Sequence, residues 1–189
     1  MTICIIIAVG IAATLWTDLI NWLRQRLLGS NVPDYASFGR WVCHMSKGVF
    51  AHTPIQQADK MPAEGLVGWC LHYLIGIVFA AGLVLWQGMS WLSAPSLEPA
   101  LAVGVATVIF PFFIMQPAFG AGVAASRAPN PAKASWRRLV NHGLFGVGLY
   151  LAALNSTIVT VPYTHLTLPT NSDVYMSVVH GSINTNTNT

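Results

Sequence analysis

From Thr2 to Thr17 the chain carries no charged side chain, and three further stretches, residues 65–89, 97–125 and 139–159, are nearly as apolar. A helix of about 20 apolar residues spans roughly 30 Å, one hydrocarbon thickness of a bilayer. Runs of this length constrain the fold strongly. In lipid every backbone polar group must be paired within the segment, which leaves the helix as the form such runs can take. The charged fraction agrees: 8% of the residues are Asp, Glu, Lys or Arg, against roughly 25% in soluble domains. A water-soluble fold could not cover itself with so few. The expectation is an all-α polytopic membrane protein, an antiparallel bundle of four transmembrane helices at about 3–23, 65–89, 97–125 and 139–159, forming one membrane domain over 1–159.

The basic residues orient these spans. Arg24, Arg26, Arg40, Lys47 and Lys60 fall between the first and second, and Arg127, Lys133, Arg137 and Arg138 between the third and fourth. The N-terminus, residues 90–96 and the tail carry none. Basic loops are retained in the cytoplasm, so both termini are expected outside it, in a bacterial inner membrane. Trp22, Trp69 and Trp136 fall at the expected inner boundary and Trp86 and Trp91 at the outer one, as in an aromatic belt. The first run has no basic residue before Asp18, unlike a secretory signal, and reads as a retained helix. Cys4, Cys43 and Cys70 have no paired spacing and read as free thiols. The formal charge of +3 is too small to suggest a nucleic-acid partner. The lipid bilayer is the expected partner, with a second copy or another membrane protein beside it.

Residues 29–62 form the one sizeable segment between spans. Within it Phe38, Trp41, Val42 and Met45 recur at helical spacing. A short helix on the inner membrane surface and an irregular loop folded under the bundle both fit.

Several stretches resemble an uncharacterised family of small bacterial inner-membrane proteins, domain of unknown function 2938. They are Ala13-Thr14-Leu15-Trp16-Thr17-Asp18-Leu19, Gly39-Arg40-Trp41 with His44-Met45, His72-Tyr73-Leu74-Ile75-Gly76, the run from Pro111 to Pro131, and His142-Gly143-Leu144-Phe145-Gly146 with Gly148-Leu149-Tyr150-Leu151. The resemblance covers residues 1 to about 154. It implies a four-span inner-membrane protein and brings no activity, cofactor or catalytic residue with it. Beyond it, Tyr163-Thr164-His165-Leu166-Thr167-Leu168-Pro169-Thr170-Asn171 looks like a translated sequencing adapter, followed by a low-complexity Ser, Asn and Thr run. Residues 160–189 are therefore expected to be a disordered, non-native tail, with a genuine periplasmic tail as the alternative.

Each span carries one strongly polar side chain towards the cytoplasmic side. At 1.5 Å per residue Asp18 lies roughly 9 Å inside Arg24, His72 roughly 12 Å inside Glu64, Gln116 roughly 16 Å inside Arg127 and His142 roughly 6 Å inside Arg138. A carboxylate at mid-bilayer costs roughly 2.5–3.5 kcal/mol, which an inward-facing donor, His72 or His142, would reduce. Such a cluster serves either as a proton-coupled site or ion path, or as an interhelical clasp, or the side chains snorkel to the interface. Pro111 and Pro117 interrupt the third span and free the carbonyls of Thr107 and Phe113. Broken membrane helices line binding sites in some proteins and are plain kinks in others. Small residues at four-residue spacing, Gly76 with Ala80 and Gly148 with Ala152 among them, suit close helix approach.

No nucleotide loop, nucleophile elbow or dinucleotide fingerprint is present, so no enzyme activity is expected. Cys43-His44 and Cys70-x-His72 are not zinc spacings, and no haem-attachment motif accompanies His72 and His142, so no metal or cofactor is expected. Two functions fit: a small transporter or channel-like component built on the polar cluster, and a non-catalytic membrane scaffold or accessory subunit.

Overall fold

The computed structural model describes residues 2–164, with side chains as far as Thr157. The expected tail lies outside the described residues except at 160–164, which continue the last helix. The chain divides into two units, 1–157 and 158–189, and the packing below is that of the first.

The described residues are helical, with no strand among them. The elements are α1 (Thr2–Leu28), α2 (Tyr35–Met45), a 3-10 turn Ile55–Gln57, α3 (Glu64–Gln87), the one-turn α4 (Ser90–Ser93), α5 (Leu97–Ala106), a π-helical turn Pro111–Met115, α6 (Gln116–Ala118), a second 3-10 turn Val123–Ala125, and α7 (Pro131–Thr164). Three stretches are long and apolar enough to cross a membrane: α1, α3 and Leu97–Ala118.

Glycine sets how closely the helices approach. A Cβ on Gly10 of α1 would lie 2.6 Å from the Ile77 Cα of α3, and one on Gly76 would lie 2.1 Å from the Thr14 hydroxyl. Going up α1, contacts therefore go down α3: the pair is antiparallel. Gly104 of α5 meets Gly146 of α7 in the same manner, and Gly148 of α7 rests on Ala13 of α1. At each of Gly10, Gly104 and Gly148 the nearest atoms include partner backbone, so a side chain at these positions would force the helices apart.

The interior changes character along its length. At the end closed by α4, the core is apolar: Val9, Ala13, Ala80, Leu83, Val84, Trp91, Leu92, Ala100, Phe145, Leu149 and Ala153. Towards the α2 end the buried residues include Thr14, Thr17, Asn21, Thr107 and Gln116. Thr14 and Thr17 donate back to the carbonyls of Gly10 and Ala13, one turn earlier on α1.

Two expectations need correction. The third span does not run on to residue 125: regular helix ends at Ala106, resumes through the π turn, and stops at Ala118. The cause is local. Pro111 cannot donate to the Thr107 carbonyl, and the Phe110 N–H takes it instead at 3.2 Å, tightening the turn. Gly120 and Gly122 then adopt positive φ and end the stretch. Trp91 does not belong to an outer belt. It is 5% exposed and donates from Nε1 to the Ser96 carbonyl, plugging the connection between α3 and α5. Of the two readings left open within residues 29–62, the short helix is found, at Tyr35–Met45, with Ser37, Gly39, Arg40 and Trp41 buried.

Candidate functional site

Helix α2 begins at Asp34, whose carboxylate accepts from the Ser37 N–H and closes the first turn. Its packing against α3 is backbone to backbone. A Cβ on Gly39 would stand 1.9 Å from the Glu64 carbonyl oxygen, and one on Gly68 would stand 1.8 Å from that of Tyr35. Only glycine at both positions allows this approach. Arg40 then reaches across: Nε donates to Glu64 Oε2 at 2.8 Å, Nη2 to Oε1 at 2.6 Å, and Nη1 to the Ile55 carbonyl at 3.3 Å. The bidentate pair holds the Arg40 guanidinium protonated above its ordinary range. The same segment is tied to α6, since the His52 N–H donates to the Ala118 carbonyl and the Ile55 N–H to that of Phe119.

This docking delivers Tyr35 to Asp18. The Tyr35 hydroxyl donates to Asp18 Oδ1 at 2.9 Å, His72 Nε2 faces the same oxygen at 3.1 Å, and the Tyr73 hydroxyl donates to Oδ2 at 3.1 Å. A carboxylate only accepts, so His72 Nε2 carries its hydrogen. Burial and the Asp18 carboxylate together raise the Tyr35 phenol well above the usual tyrosine range. Aromatic rings wall the group: Tyr35 stacks on His72 with centroids 4.2 Å apart, and Trp69 lies 4.5 Å from Tyr35. The pair keeps partial access, with 17% of the Asp18 side chain and 22% of His72 exposed.

His142 does not join this group. Its Nδ1 lies 2.8 Å from the Thr107 hydroxyl, which donates its one hydrogen to the Gly104 carbonyl at 2.6 Å. Nδ1 must therefore be the donor to Thr107. Gln116 is 1% exposed, and neither atom of its side-chain amide has a hydrogen-bond partner among the described residues. The Asn21 Nδ2 and Trp16 Nε1 groups are likewise buried and unbonded there. Of the four polar residues singled out in the sequence, the structure thus brings Asp18 and His72 into contact, while His142 bonds Thr107 and Gln116 stands without a bonded neighbour. Pro111 is the first residue of the π turn, and Pro117 lies within α6 directly after it.

The family described as protein of unknown function (DUF2938) matches residues 7–156. The chain belongs to this family. No curated protein and no solved structure matches it. The matched region of this DUF2938 protein contains every residue of the Asp18 group, the Thr107–His142 pair, Gln116 and the Arg40–Glu64 clamp.

Sequence reasoning missed Tyr35, Tyr73 and Thr107. Tyr73 directly follows His72 and lies in one of the stretches that carried the resemblance. Tyr35 lay between spans, and its only sequence signal is the N-cap Asp34 with Ser37 three residues on. Thr107 was noted only for its carbonyl. Metal binding gains nothing from the geometry, because the two histidines are committed to different partners on different helices.

Proposed function

We propose that this DUF2938 protein is a multi-pass protein of the bacterial inner membrane in which α7 is a fourth crossing. Both termini lie outside the cytoplasm, and the protein acts as a small transporter or channel-like component through its cytoplasmic half. The one-sided distribution of lysine and arginine supports the orientation. One observation carries the functional reading: the interior at the α2 end is lined by buried Thr14, Thr17, Asn21, Thr107 and Gln116, with the Asn21 and Gln116 amides unbonded among the described residues. A buried polar group without a partner costs about 1–3 kcal/mol, a cost relieved if the amides meet a polar solute. The Asp18–His72 pair keeps partial access, and an intramembrane carboxylate of this kind suits a proton-coupled role.

A scaffold or accessory subunit is the second reading. It is favoured by the saturation of the Asp18 carboxylate, which takes donors from α2 and α3 and so holds three elements together. Uptake and growth profiling of a deletion strain, complemented with wild type, Asp18→Asn or Gln116→Leu, separates the two. Transport predicts a solute-specific defect that neither variant rescues although both reach normal abundance in the membrane. Full rescue by both variants rejects transport and leaves the scaffold.

A further inference from the structure

Helix α1 ends and α7 begins in a group of arginines that the mechanism above does not use. Arg24 Nη1 donates to Asn141 Oδ1 at 3.0 Å, bringing the two helices together. Arg137 and Arg138 lie four and three residues before Asn141, so they occupy the same side of α7 within one turn. Arg137 donates to the Asn31 carbonyl, just past the end of α1. Every recorded partner of these arginines is neutral. The ion pairs among the described residues are Arg40–Glu64 and His72–Asp18, and neither includes them. Of the acids at this end, Asp18 is engaged by Tyr35, His72 and Tyr73, Asp34 by Ser37, and Glu64 by Arg40, and Asp59 forms no ion pair with these arginines. Burial and the neighbouring Arg137 lower the Arg138 pKa, as expected of a partly buried cation without a counter-ion.

We propose that Arg24, Arg137 and Arg138, gathered around Asn141 where α1 meets α7, form a binding site for the phosphate of an anionic phospholipid headgroup. Guanidinium forks match phosphate oxygens in pairs. A phosphate would supply the negative charge that no side chain of the described residues provides. The location selects a lipid over a soluble anion. The site lies on the basic face, and Trp22 and Trp136, 50% and 64% exposed, flank it in sequence as side chains suited to headgroup depth. It rests on the membrane placement argued above but not on transport.

The test uses the full chain in detergent, delipidated, with lipid occupancy read by native mass spectrometry and by thermal stability. Dioleoylphosphatidylglycerol should be retained in about one stoichiometric copy and raise the melting temperature, whereas dioleoylphosphatidylcholine and millimolar glycerol 3-phosphate should not. Arg138→Gln should weaken retention by about tenfold or more, as loss of charge-assisted bonds implies. Lys133→Gln removes an exposed charge from the same helix and should change it little. Equal retention of the two lipids overturns the proposal, and so does an equal loss from Lys133→Gln, which means diffuse attraction. Stabilisation by glycerol 3-phosphate alone assigns a soluble anion instead and equally rejects it. If Arg138→Gln does not fold, the wild-type comparison of the two lipids still decides. A chain soluble without detergent would reject membrane placement itself, a separate outcome.

Discussion

Replacing Gly39 by alanine adds one methyl group and should dismantle the Asp18 site from a distance. The new Cβ would stand 1.9 Å from the Glu64 carbonyl oxygen and 2.6 Å from the Gly68 nitrogen. Both neighbours are helix backbone, so neither can rotate away as a side chain would. To restore an ordinary contact near 3.4 Å, α2 must recede from α3 by about 1.5 Å. Carried to Tyr35, one turn earlier, that shift stretches the 2.9 Å bond to Asp18 well beyond hydrogen-bonding range. The Arg40–Glu64 pair spans the same gap, and its side chains are only 9% and 14% exposed. Overpacking costs about 1–3 kcal/mol, and a hydrogen bond to a charged group contributes about 1.5–3 kcal/mol more. The expected loss is thus about 2.5–6 kcal/mol, enough to lower the melting temperature of the detergent-solubilised protein by several degrees or more. Gly65→Ala is the matched control, because a Cβ there meets nothing within 4 Å. It should be neutral or slightly stabilising, as alanine is the better helix former. A Gly39→Ala protein melting within about 1 °C of wild type would refute the backbone-contact account of α2 docking.

Other perturbations follow from the same contacts. Asp18→Asn leaves three donors facing an amide with one acceptor oxygen, and should cost about 1–3 kcal/mol in thermal or denaturant unfolding. Arg40→Lys cannot span the two Glu64 oxygens and the Ile55 carbonyl together, so proteolysis within residues 46–62 should accelerate while the apolar helices stay intact. Burial and the adjacent His44 ring lower the His52 pKa, so the folded state favours neutral His52. This contribution is complete above the unfolded value near 6.5 and diminishes as pH falls below it. Cleavage of the 46–62 segment should therefore speed up between about pH 7 and pH 5, and His52→Asn should flatten that dependence.

The sequence made the helices legible because hydrocarbon-length apolar runs admit few alternatives. Residues 3–23 and 65–89 lie close to α1 and α3 as found. A histidine partner for Asp18 could be expected from the cost of an isolated carboxylate, with His72 and His142 equally near it in depth. Which histidine could not be read, because depth along two helices says nothing about their rotation. The α2 docking depends on two glycines, Gly39 and Gly68, that are far apart in sequence and meet through backbone atoms. Hydrophobic periodicity cannot register such a contact. It highlighted Phe38, Trp41, Val42 and Met45, of which only Trp41 is buried, and gave no reason to read Arg40 as the clamp on Glu64. Span three was read too long because its composition stays apolar past Ala118, whereas Gly120 and Gly122 at positive φ turn the chain aside.

The interior is apolar at the α4 end and polar at the α2 end, and the proposal that the polar end faces the cytoplasm can be tested by chemical access. With Cys4, Cys43 and Cys70 replaced by serine, single cysteines at Asn21, Gln116, Leu83 and Ala100 would be treated with a membrane-impermeant thiol reagent in inside-out and right-side-out vesicles. The account predicts modification of Asn21→Cys and Gln116→Cys from the cytoplasmic face alone, with Leu83→Cys and Ala100→Cys unreactive from either face. Protection of all four positions from both faces, or reaction of Gln116→Cys from the outside, would contradict it.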